Sequence, residues 1–182
     1  MNTITDVMLD LETLDTRVTA AVVSMAAVPF NLKTGFISDD VFYSAINLDS
    51  ALRYGTASGD TLRFWVEKAP PEALAAAWRG TKAFTKVLDE FTQFMTPFSQ
   101  TAIWSQGPAF DVAILERLYS KMNLPTPWKF WNARDVRTII HVCNAAGFPT
   151  VNKPPVAHNA LEDARQQTRN VIQAYRNILS GR

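Results

Sequence analysis

The run Ala20 to Phe30, Ala-Ala-Val-Val-Ser-Met-Ala-Ala-Val-Pro-Phe, constrains the fold more than any other segment of the chain. It is long, apolar and β-branched at several places, which suits a central strand covered on both faces. Val7 to Leu9 reads as a short core strand that ends in a pair of acidic residues. Asn31-Leu32-Lys33-Thr34-Gly35 supplies turn chemistry, and the Val, Phe, Tyr and Ile between Val41 and Ile46 favour a third strand. Short connections make these three an antiparallel meander.

Past residue 60 the period changes. Thr61 to Lys68 reads as a short helix, and Glu72 to Trp78 as another, with Pro70-Pro71 at its first turn. Phe84, Val87, Leu88, Phe91, Phe94 and Met95 follow the spacing of a helix buried on one side, and core packing explains that aromatic stripe. Thr101 to Trp104 is a short buried strand, broken by Ser105-Gln106-Gly107-Pro108. Asp111 opens a helical stretch running through Leu118. Phe130-Trp131 reads as a small strand, Asp135 to Cys143 as a helix, Asn152-Lys153-Pro154-Pro155 as a loop, and Leu161 to Leu179 as a long final helix. Strands first, then alternating helices and strands, give an α/β protein with helices on the faces of a mixed sheet. With 182 residues, 47% of them hydrophobic, and no repeat or linker, residues 1–182 are expected to form one domain.

Five residues carry chemistry within this frame. Asp10 and Glu12 leave strand one on the same side, because side chains two apart share a face. Asp111 stands just past a later strand, Asp163 in the first turns of the final helix, and His158 in the loop before it. If strands one and four are neighbours, the four carboxylates meet at their carboxyl ends, the usual crevice of an open sheet. Singly, each has a plain structural explanation: a solvated turn for Asp10-Leu11-Glu12, a helix N-terminus for Asp163, a loop position for His158. Together, hard oxygen ligands and a proton-accepting imidazole point to a site for Mg²⁺ or Mn²⁺. A formal net charge of +1 excludes binding steered by a large basic excess. Cys143 is the only cysteine, so no intramolecular disulfide forms, and a reducing, cytoplasmic setting is expected. No secretory signal and no long uncharged apolar stretch is present, so no membrane association is expected.

In these residues the chain resembles the DEDDh group of DnaQ-like 3′–5′ exonucleases, which have a ribonuclease H-like fold. The matching elements are Asp10-Leu11-Glu12, then Asp111, then His158 through Asp163. The stretches Trp104-Ser105-Gln106-Gly107-Pro108-Ala109-Phe110-Asp111 and Trp131-Asn132-Ala133-Arg134-Asp135-Val136-Arg137-Thr138 look like the exoribonuclease-like or exonuclease VIII-like branch common in phages and prophages. Gln106 departs from the Asn expected there.

The resemblance implies two divalent ions about 3.5–4 Å apart. Asp10 would bridge them, with Glu12 and Asp163 completing the shell of one and Asp111 acting on the other. His158 would be the general base. The substrate would be the 3′ end of single-stranded DNA or RNA, and the product a nucleoside 5′-monophosphate. Thr13 and Leu14 would meet the terminal nucleotide. Phe110 is either a stacking partner or core, with core favoured, as for Trp104 and Trp131. Arg134 and Arg137 could hold phosphate, although an ion pair with Asp135 or a neighbour is favoured. His141 reads as structural, and Asp6 and Asp15 as surface charge. Relatives are often homodimers, and a homodimer is expected. Two other readings stand beside this one: a catalytically silent module that binds nucleic-acid ends or a protein, and an endonuclease of the wider ribonuclease H-like group.

Overall fold

The computed structural model describes residues 3–148 and 157–181; the expected loop at Asn152-Lys153-Pro154-Pro155 lies outside them. Strands β1 (Asp6–Thr13), β2 (Val22–Phe30) and β3 (Phe42–Ala45) form the antiparallel meander, with Asp10 opposite Ala26 and Glu12 opposite Ser24. Strands β4 (Ala102–Ser105) and β5 (Ala133–Asp135) add in parallel, giving the order β3-β2-β1-β4-β5. The centre is therefore β1 rather than the longer β2. Pro29 is accommodated because β3 pairs only with Ser24 to Ala27, so the missing N–H falls beyond that ladder.

Period two divides β1 between two cores. Val7, Leu9 and Leu11 face one core, shared with α1 (Leu48–Tyr54), α2 (Gly59–Glu67), α3 (Pro71–Trp78), α4 (Phe84–Met95) and α5 (Asp111–Lys121). Met8 faces the other, with Ala26, Val28 and Phe30, against α6 (Val136–Ala145) and α7 (Ala160–Ser180). Asp10 and Glu12 continue the Met8 row, so the strand turns both acids toward α7. Helix α1 was not legible in the sequence. It is only seven residues long, too short to display a stripe, and is set by Asn47, whose Oδ1 accepts the Ser50 N–H at 3.0 Å.

Several expectations need correction. Strand β1 runs on through Thr13, so Asp10 and Glu12 lie within it rather than at its exit. Phe130-Trp131 is not a strand: residues Phe130–Asn132 make a single 3-10 turn, and the strand begins one residue later. Trp131 is exposed rather than core, whereas Trp104 is buried. Asp6 and Asp15 are buried, not surface charge. A carboxylate tolerates burial only when donors surround it. Asp6 accepts from Trp104 Nε1 at 2.8 Å and Leu32 N at 3.3 Å. Asp15 accepts from the Arg17 guanidinium, the Thr56 hydroxyl and the Thr16 amide, with Arg17 foremost in holding its carboxyl below the usual range. His141 sits mid-helix as read, but on the exposed side. Among the described residues, no helix is long and apolar enough to cross a membrane.

Replacing Trp104 by Phe should remove the indole N–H that solvates buried Asp6 and lower stability by about 1.5–3 kcal/mol. Thermal melting should show this as a fall of several degrees; an unchanged midpoint would mean that this bond does not support Asp6.

Candidate active site

The cleft exists because β1 outruns its parallel neighbour. Only Asp6, Val7 and Met8 pair with β4, which ends at Ser105. Beyond that point the edge of β1 facing β4 is open, and the first residue of α5 fills it: Leu11 N donates to Asp111 Oδ1 at 3.3 Å. From the other face, α7 presents Asp163, Gln167 and Asn170, a stripe at helical spacing. Oxygens of Asp10, Glu12 and Asp163 lie within 4.8 Å of one another. Gln167 Nε2 donates to Asp10 Oδ1 at 2.7 Å and fixes that carboxylate. The resulting cleft, about 550 Å³, is lined by all four acids together with Phe110, Arg137 and His158.

Burial and mutual repulsion dominate the electrostatics. Asp10 is held well above the usual carboxylate range, first by burial and then by Asp111, Glu12 and Asp163, against the opposing Gln167 bond. Glu12 is raised similarly, by burial and then by Asp163 and Asp111. Burial pushes Asp111 up to about 7, with the Leu11 amide and Arg137 pulling the other way. Burial also raises Asp163, opposed by the backbone and charge of His158. Crowded carboxylate oxygens are the donor set that hard divalent cations take, so these residues fit Mg²⁺ or Mn²⁺.

His158 adopts a left-handed backbone, with φ 64°, immediately before the α7 cap Asn159. Its ring packs edge-on against Phe64, with centroids 4.8 Å apart, and lies 6.4 Å from Trp65. Those two residues of α2 line a second cavity of about 440 Å³ with Thr13, Phe110 and His158. Trp65 Nε1 donates to the Thr13 carbonyl at 2.9 Å, which anchors this wall to β1. Phe110 is half-buried and borders both cavities. Leu14 is not brought to the site: its side chain is sealed in the core and lines neither cavity. Arg137 lines the cleft near Asp111. Arg134 donates instead to the Trp131 and Ala133 carbonyls.

Sequence reasoning missed Gln167, Phe64 and Trp65. A signal existed for Gln167, four residues after Asp163 and so on the same helix face. Nothing local connects Phe64 and Trp65 with a histidine more than ninety residues away.

A five-stranded mixed sheet flanked by helices, with acids gathered beside its central strand, is a ribonuclease H-like nuclease fold. Solved structures agree in fold. The nuclease domain of 3'hExo, a DEDDh family member, superposes with a TM-score of 0.58 at 14% identity, over 97% of this chain and 92% of that one. Pop2p of S. pombe gives 0.57 at 8%, over 98% and 86%. Exonuclease I gives 0.67 at 11%, over 96% of this chain but 43% of its own. No curated protein sequence matches the chain. The family model for the 3'-5' exoribonuclease Rv2179c-like domain matches residues 5–175, and the chain belongs to that family. It is accordingly a 3′–5′ exonuclease by class.

The raised carboxyl groups set a pH dependence. A folded-state pKa above the unfolded value means that the native protein holds more protons, so stability falls as pH rises between them. In EDTA the melting temperature should therefore drop from about pH 4 to pH 7, the span between an ordinary carboxylate and Asp111. Asp111→Asn should flatten that slope; an identical slope in the variant would contradict the assignment.

Proposed function

We propose that residues 1–182 act as one metal-dependent 3′–5′ exonuclease domain, removing nucleoside 5′-monophosphates from single-stranded 3′ ends. The observation that carries this reading is the gathering of Asp10, Glu12 and Asp163 within 4.8 Å, with Asp111 on the same wall and an imidazole bordering the cleft. Proteins of the same fold support it: the 3'hExo nuclease domain is bound to rAMP, and Pop2p is in a Mg²⁺- and Mn²⁺-bound form. The family description favours RNA over DNA.

Asp10, Glu12 and Asp163 would hold one divalent ion, and Asp10 with Asp111 a second. When bound, such ions supply the positive charge that an in-line phosphodiester displacement needs. The chain's own residues do the rest. Gln167 keeps Asp10 aimed into the cleft. Phe64 and Trp65 back the His158 ring, so its free nitrogen can take the proton of the attacking water. The second cavity, of a size usual for small ligands, receives the terminal nucleoside between Thr13, Phe64 and Phe110. Leu14 supports that wall from the core and makes no contact of its own. Arg137 stands where the phosphate's charge needs a partner. The stretches 104–111 and 131–138 support a place in the phage and prophage branch, and the lone, buried Cys143 suits a cytoplasmic setting. A homodimer stays part of this reading.

The test is a set of 3′-labelled single strands of RNA and DNA with Mn²⁺. Mononucleotides should appear, EDTA should stop their release, and Asp10→Asn should reduce the rate by about 10³-fold or more. No release from any strand would overturn the reading in favour of a silent module. His158→Ala should slow turnover by about 10²–10⁴-fold and leave Mn²⁺ affinity, measured by calorimetry, unchanged. A matching loss of affinity would make His158 a ligand instead of the base.

A further inference from the structure

Among the described residues, the most exposed aromatic side chains lie outside both cavities. Phe130 and Trp131 are 75% and 61% exposed and pack as a T-shaped pair with centroids 4.8 Å apart. Two neighbouring rings in solvent leave apolar surface uncovered, which a protein tolerates where something binds. Cations accompany them. Lys129 and Arg134 are exposed, and Arg134 Nη1 is held over the turn by the Trp131 and Ala133 carbonyls, both at 2.9 Å. Arg137 follows at the cleft wall.

The one carboxylate between Met122 and Phe148 is Asp135, and it is occupied as the α6 cap, accepting from Arg137 N and the Thr138 hydroxyl. The stretch thus offers three cations against one spent acid, on a chain whose net charge is only +1. Trp131 and Arg137 are six positions apart, so their Cα atoms stand no more than about 22 Å from one another.

We infer that Lys129, Phe130, Trp131 and Arg134 form a track for the upstream part of the single-stranded substrate, with bases stacking on the rings and phosphates running along the cations toward Arg137. Rings with interleaved cations are how single strands are held without regard to sequence, because every base has a face to stack. A second copy of the chain fits less well. In a two-fold dimer this patch would meet itself, cation against cation. The inference rests on the exonuclease reading for its substrate, but it is tested separately.

The experiment compares wild type with the double variant Phe130→Ser and Trp131→Ser, and with Arg134→Ala. Fluorescence anisotropy in EDTA measures binding of a 5′-labelled dodecanucleotide and a trinucleotide. Wild type should bind the longer strand more tightly, and the double variant should lose about tenfold or more on it while matching wild type on the trinucleotide. Arg134→Ala should also weaken the longer strand and shallow its salt dependence. In turnover with Mn²⁺, KM for the dodecanucleotide should rise with kcat unchanged. Equal binding by wild type and double variant, or no gain with length in wild type, would overturn the track. So would sedimentation showing a wild-type dimer that the double variant breaks, which would make the patch a homodimer interface. Turnover absent in wild type, with length-dependent binding intact, would overturn the exonuclease reading and leave the track standing.

Discussion

Repulsion among three buried carboxylates and the half-buried Asp163 is the constraint that organises this molecule. Water would normally disperse such charge, and here it is largely excluded. Every element near the cleft answers that cost. Two helices, α5 and α7, begin there, so their positive ends face the acids. The Leu11 amide, freed by the early end of β4, is given to Asp111. Gln167 gives its amide to Asp10. What these donors leave uncompensated is negative charge shaped for a small, hard cation.

The two faces of β1 divide the labour. Val7, Leu9 and Leu11 anchor the strand in the larger core, which fixes its position without touching the chemistry. Met8, Asp10 and Glu12 look the other way, so one strand is at once a structural axis and an active surface. Asp111 and His158 are held from the larger side, the first by α5 and the second by rings of α2.

Much of this was legible in the chain. The meander, the helical stripe from Phe84 to Met95 and the final helix announce themselves through period, and Asp111 and Asp163 stand where helices begin. The long apolar run of β2 marks a strand paired on both edges and buried on both faces, as found, whereas the position of β1 in the middle depends on which edge β4 joins, a long-range choice. Asp6 and Asp15 looked like surface charge because composition cannot show that Trp104, Arg17 and Thr56 arrive as donors. Trp131 looked like core because its residue type is usually buried in large part. Exposure is set by what fails to cover it.

One consequence follows from the way His158 meets α7. A single left-handed residue, one capping asparagine and one turn of helix join the imidazole to Asp163. That linkage has almost no slack. Inserting a residue between Asn159 and Asp163 would swing the acid about 100° around the helix, away from Asp10. The four-residue gap in the His-to-Asp motif is thus an angular tolerance, counted in residues but imposed by the pitch of α7.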